Sequence, residues 1–288
     1  MIRTVGAQPI TSIKSQLGEG PFWHNEALYW VDILGKKIYR YFPTEDRIEE
    51  MQLNQYIGAL APREKSGFVL ALKNGFYLLD KFNGVLTPII NPENDKPGNR
   101  FNDGKCDARG RFWAGTMALD ESPNQGALYM LDANLRIQKK YAPATISNGL
   151  CWSSDHRYMY YVDTPTHQVL RFDFDLPTGE IKNPQPIITI NQKDGNPDGM
   201  TIDVNDCLWI ALWGGSAVVC YDPKTAKLLH KIDLPVSQVS SCAFGGPKLN
   251  ELYITCANVD LIKEEPLAGR LFKIKLDTKG LPTNSFSG

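Results

Sequence analysis

Residues 100–117 read RFNDGKCDARGRFWAGTM: a polar pair and a glycine (Asn102-Asp103-Gly104), a short apolar run, a turn and a second apolar run. The phrase returns at intervals of about 44 residues, as Glu19-Gly20, Ile57-Gly58, Asn148-Gly149, Asp198-Gly199 and Ser241-Cys242. A second apolar run follows each, starting at Ala27, Phe68, Arg111, Tyr158, Cys207 and Glu251. Six copies at a fixed period predict a radial or stacked repeat, in which each unit buries its apolar face only against its neighbours.

A third run follows in every copy, from Lys36, Gly75, Gly126, Gln168, Ala217 and Arg270, and a fourth in five copies. The runs are short, rich in Tyr, Val, Ile and Phe, and bounded by Gly, Asn, Asp and Pro, which predicts antiparallel strands. The sixth copy lacks a fourth strand, and the ending TKGLPTNSFSG is too polar to supply one. TVGAQPI, ahead of the first copy, has no copy of its own. The expected fold is therefore all-β: a six-bladed β-propeller with four antiparallel strands per blade, closed by the N-terminal strand joining the last blade, with residues 1–288 forming a single domain. A linear solenoid fits less well, because no hexapeptide repeat or capping element is visible.

The 31 basic and 32 acidic residues nearly cancel, so no electrostatic footprint for nucleic acid or an anionic membrane is present. The N-terminal stretch lacks an apolar h-region, and no run approaches the about 18 residues of a membrane span, so a cytoplasmic protein is expected. Cys106, Cys151, Cys207, Cys220, Cys242 and Cys256 lie in apolar strand patterns with no close CxxC pair. They read as buried thiols, and a zinc site built from them is improbable.

In a propeller the first strand of each blade lines the central channel, so equivalent residues meet at one end of the axis. Aligned by repeat, Glu19, Asn148 and Asp198 occupy equivalent positions, with Asn102 and Asp103 alongside. Carboxylates converging on one point repel unless a cation lies between them. All the donors are hard oxygens, which suits calcium, magnesium or manganese and permits zinc. A polar residue before glycine also suits a tight turn, but Glu19 is not a turn former. Arg100 is either a binder of substrate oxygens or a surface arginine paired with Asp107 or Glu93. Asp120 and Glu121 lie in ALDESPNQG, a connection longer than a hairpin requires, where they are loop ligands or solvated charges. His24, His156, His167 and His230 fall in turn contexts without a nucleophile motif and are assigned surface or structural roles. The six tryptophans read as inter-blade packing, with Trp213 also a candidate for the pocket rim.

The phrases LGEGPFW at Leu17, RFNDGKCDARGRFWAGTM at Arg100, SNGLCWSSD at Ser147, YYVDT at Tyr160 and NPDGMTID at Asn196 resemble the regucalcin (senescence marker protein), gluconolactonase and luciferin-regenerating enzyme family, in order and over most of the chain. The resemblance implies a six-bladed propeller with one divalent metal, calcium first, held by Glu19, Asn148 and Asp198. It further implies substrate contacts from Arg100 and Asn102, and an acidic loop residue at Asp120 or, one register on, Glu121. The implied activity is hydrolysis of a sugar lactone to the aldonic acid, the metal polarising the carbonyl. Water attack is then driven by Asp198 as base or by hydroxide on the metal, since a carboxylate bound to a divalent cation is a poor base. A calcium-binding regulatory protein with little catalysis is the alternative within the family. The expected partner is a small-molecule lactone, and the expected state a monomer or weak homodimer.

Overall fold

In the computed structural model, which describes residues 2–288, the chain forms six sheets of four antiparallel strands arranged as the blades of a propeller, one of them carrying a further parallel edge strand. The inner strands are Gly18–His24, Ile57–Pro62, Asn99–Cys106, Ser147–Trp152, Asn196–Ile202 and Val239–Gly245. Two single 3-10 turns, Thr164–Thr166 and Gln192–Asp194, are the only helical elements among the described residues. No helix there is long and apolar enough to cross a membrane.

Each blade–blade interface is a separate apolar cluster, as expected of a repeat whose units pack only on neighbours. Blades one and two meet through Tyr29, Ile57 and Phe68. Blades three and four meet through Trp113, Trp152 and Tyr161, and blades six and one through Trp30, Tyr39 and Tyr253. Burying aromatic and aliphatic side chains of this size stabilises each interface by about 1.5–3 kcal/mol per residue. Trp113 and Trp209 do more than pack: their indole N–H groups donate to Asp107 and Asp203, whose other carboxylate oxygen caps the turn leaving the inner strand.

Gln8–Pro9 pairs antiparallel with Phe272–Lys275 and supplies the missing strand of blade six, so the ring closes as the repeat count predicts. Only part of the N-terminal segment does this. Ile2–Val5, which includes Thr4 and Val5 of TVGAQPI, runs parallel to Lys227–Asp233 as a fifth strand on blade five.

The polar C-terminal tail has its own task. Val204 N–H donates to Lys279 O and Gly280 N–H to Leu249 O, in blades five and six. Across the channel, Phe286 N–H donates to Pro62 O, Ser287 N–H to Gly110 O, and the Arg63 guanidinium to Gly288 O. The tail is thus a strap over the far mouth of the channel, where Leu281 to Asn284 line a cavity of about 330 Å³. Its anchor is Phe286, fully buried among Phe76, Phe101 and Phe112 of blades two and three.

Candidate metal and substrate site

All six repeats of the opening phrase fold in the same way. The pairing of inner and second strand slips at that point in every blade, between Glu19 and Phe22, Ile57 and Ala59, Phe101 and Gly104, Ser147 and Leu150, Pro197 and Met200, and Val239 and Ser241. Such bulges take residues out of the ladder and re-aim their side chains. The glycines permit the close approach of adjacent inner strands around the axis. A Cβ on Gly58 would lie 2.4 Å from Asn102 O, and one on Gly149 would lie 2.5 Å from Asp198 O.

The bulges bring Glu19, Asn102, Asn148 and Asp198 to one pocket of about 390 Å³, together with Arg100, Glu121, Thr164, His167 and Trp213. Asp103 belongs to the same electrostatic cluster, since it is the largest charge acting on Glu19. Two second-strand aspartates set the approach to it. Asp32 accepts from the backbone N–H groups of Gln16, Leu17 and Gly35, fixing the turn that leads to Glu19. Asp163 does the same through Thr145 and Ile146 N–H for Asn148.

Glu19, Asp103 and Asp198 are all buried. Burial, followed by the charge of Asp103, pushes the Glu19 carboxyl up to about 8. Burial, followed by the charges of Glu19 and Asp103, holds Asp198 well above the usual carboxylate range. Asp103 is also raised by burial, with Lys105 opposing the shift. The buried Arg100 offsets part of this negative charge, at the cost of its own pKa, which burial lowers to about 10. Asp198 Oδ1 is buried with no hydrogen-bond partner. An orphaned carboxylate oxygen within a set of hard oxygen donors and excess negative charge fits a divalent cation of the calcium, magnesium or manganese type.

The sign of the pH dependence follows. Glu19 titrates near 4.5 when unfolded and near 8 when folded without a cation. Its stabilising protonation is complete below the unfolded value and is lost as pH rises through the folded one. The thermal midpoint of cation-free protein should therefore fall between pH 5 and pH 8. Calcium at one fixed concentration, a hundredfold above its Kd at pH 8, should restore roughly 5 °C at pH 8 and less at pH 5, where protons compete for the same carboxylates. A calorimetric scan with and without calcium at the two pH values checks this.

Several expectations are refined by the geometry. Glu121 lines the pocket, whereas Asp120 lies on a separate outer depression beside Lys96 and Gln125. Arg100 is buried and pairs with neither Asp107 nor Glu93. Its Nη1 donates to Asn102 Oδ1 at 2.7 Å and to Phe101 O at 3.0 Å, while Asp107 pairs with Arg111. His167 departs from the surface or structural role assigned to it: its ring lines the pocket, and its buried Nδ1 has no partner. Trp213 does stand on the wall. Thr164 escaped the sequence reading, although it completes the VDT of YYVDT and accepts from Asn148 Nδ2 at 2.9 Å. Asp203, Cys207 and Cys220 also place ligand-type atoms within 4.8 Å of one another. The Asp203 oxygens there already accept from Asn205 and Cys207 N–H, Trp209 Nε1 and Thr278 Oγ1, so this group is a structural knot.

Comparison with known proteins agrees with the architecture. Residues 17–258 match the family model described as the SMP-30/Gluconolactonase/LRE-like region. A Bacillus subtilis (strain 168) protein provisionally named sugar lactone lactonase YvrE is 40% identical over 281 residues, covering 96% of both chains. Regucalcin of Xenopus laevis is 37% identical over 291 residues, covering 97% of both. Among solved structures, a regucalcin from Agrobacterium tumefaciens strain C58, described as a calcium-binding protein, superimposes with a TM-score of 0.95 at 28% identity over 99% of both chains.

Proposed function

The chain belongs to the SMP-30/gluconolactonase/LRE-like family, and from that premise we propose that it hydrolyses a sugar lactone to the aldonic acid with one divalent cation at the channel mouth. The observation that carries this reading is the buried pair Glu19 and Asp198, with an unpartnered Asp198 Oδ1, lining a pocket that also holds Arg100 and Asn148, with the buried Asp103 adding its charge. Glu19, Asn148 and Asp198 would hold the cation through oxygen. Once bound, it offsets the carboxylate charge and polarises the lactone carbonyl.

The protein's own groups do the rest. Asp198, through the oxygen left free, takes the proton of the attacking water. Arg100 makes no further hydrogen bond within the described residues beyond Asn102 and Phe101 O, so its remaining N–H groups serve the sugar oxygens. Asn102 commits both amide protons to Ser147 O and Asn148 Oδ1 and thereby braces Arg100 against Asn148. Glu121, rather than Asp120, accepts from sugar hydroxyls. Calcium is the favoured cation, from the oxygen donor set and the calcium-binding relative.

A panel of aldonolactones assayed by acid release, beside calcium affinity measured by calorimetry, tests the reading. Turnover of at least one lactone supports it. Calcium binding with no turnover on the panel would instead favour a regulatory role, as the name regucalcin among the relatives suggests.

A further inference from the structure

Arg100, Asn102, Asn148, Thr164 and the carbonyl of Pro197 form one hydrogen-bonded chain across blades three, four and five. Its direction is dictated at both ends. A guanidinium only donates, so Arg100 Nη1 requires the oxygen of the Asn102 amide to face it, at 2.7 Å. Asn102 Nδ2 must then point the other way, where it donates to Ser147 O at 2.9 Å and to Asn148 Oδ1 at 3.1 Å. At the opposite end the Pro197 carbonyl only accepts, and it takes the single hydroxyl proton of Thr164 at 2.8 Å. Thr164 Oγ1 therefore has nothing left to give and accepts from Asn148 Nδ2 at 2.9 Å. The oxygen and nitrogen of both amides are thus assigned by their partners.

From this one-way chain we infer that Thr164 is a positioning residue: it fixes the face of the Asn148 amide so that the oxygen, not the NH₂, is available to a cation. The inference rests on the functional reading above for the cation, but the orientation of the amide stands on the hydrogen bonds alone. Without the hydroxyl, Asn148 Nδ2 has no acceptor on that side. The amide is then held only by the 3.1 Å bond that its Oδ1 accepts from Asn102 Nδ2, and it turns more readily to present an NH₂ group, which cannot ligate. Partners of this kind, behind a metal ligand, are worth 10–100-fold in affinity. Thr164 lies on the 3-10 turn of blade four and bonds to the residue immediately before Asp198, so it also ties two of the proposed ligands to each other.

Thr164→Val, which keeps the branched shape, should weaken calcium and manganese binding, measured by calorimetry, about 10–100-fold, and Thr164→Ser should restore it. In an Asn148→Ala background Thr164→Val should have no further effect. Thr164→Ala carries the same expectations should the valine be rejected beside the Pro197 carbonyl. Parent-like binding by the valine and alanine variants, or an undiminished penalty in the Asn148→Ala background, would overturn the inference. Selective ¹⁵N labelling of asparagine gives a readout independent of metal and lactone. The Asn148 side-chain amide should exchange slowly in the parent and in Thr164→Ser, and quickly in Thr164→Val. Equal exchange in all three overturns the role of Thr164. Absence of divalent binding in the parent would defeat the functional reading and leave the amide exchange to decide this one.

Discussion

Asp198→Asn should lower kcat for lactone hydrolysis by about 10³-fold at saturating cation, within the range that a positioned base contributes. The substitution preserves size and removes both the charge and the basic lone pair of a carboxylate whose buried Oδ1 has no hydrogen-bond partner. A divalent cation on the same carboxylate depresses its basicity, so Asp198 serves only through the oxygen that the cation leaves free. Asp103→Asn supplies the contrast. Asp103 accepts from Gly104 N–H at 2.7 Å and has Lys105 as its charge partner, so its loss alters the field without removing a reacting group. Steady-state kinetics on both variants with excess calcium separates the cases. An Asp198→Asn protein retaining more than a tenth of parent kcat would remove Asp198 from the proton transfer.

Phe286→Ala should destabilise the protein by about 3–5 kcal/mol, the usual cost of emptying a fully buried phenylalanine site. The effect is large for a residue two before Gly288 because Phe286 belongs to the core between blades two and three, against Phe76, Phe101 and Phe112. Its backbone pairs with Pro62 and Glu64, and Arg63 holds the terminal Gly288 O. Blades five and six receive the other end of the strap at Lys279 and Gly280. Losing the anchor therefore weakens a link across the ring as well as one interface. A urea titration followed by tryptophan fluorescence measures the change, and an unchanged midpoint would show that the strap carries no stability.

The blade count and ring closure were legible in the sequence because short apolar runs recur at a fixed spacing and one strand is missing at the end. The strap was not. Its apolar anchors are Phe286 and the partly buried Leu281 in an otherwise polar stretch, and no periodicity marks an irregular segment. Ile2–Val5 escaped for a related reason, since a parallel edge strand adds to a sheet without completing a repeat unit.

At the site, repeat alignment placed Glu19, Asn148 and Asp198 together, because symmetry converts sequence position into spatial position. The bulge in every inner strand, which does the aiming, has no one-residue signature; in five of the six blades the glycine beside it is its only trace, and in blade six Ser241-Cys242 stands there. Choosing between Asp120 and Glu121 required the backbone, since the chain turns at Glu121 with φ of 58° and places the two carboxylates on different surfaces. Thr164 and His167 fall at the repeat positions of Ile33 and Lys36 in blade one, in a connection of the same length and turn, so alignment marked them as turn residues and nothing more.

The most direct test strips the protein of metal with a chelator and follows acid release from a panel of aldonolactones before and after calcium, magnesium, manganese or zinc is added back singly. The stripped protein should show no turnover, and activity should recover with at least one of these ions, calcium first. Full activity in the metal-free protein would contradict this.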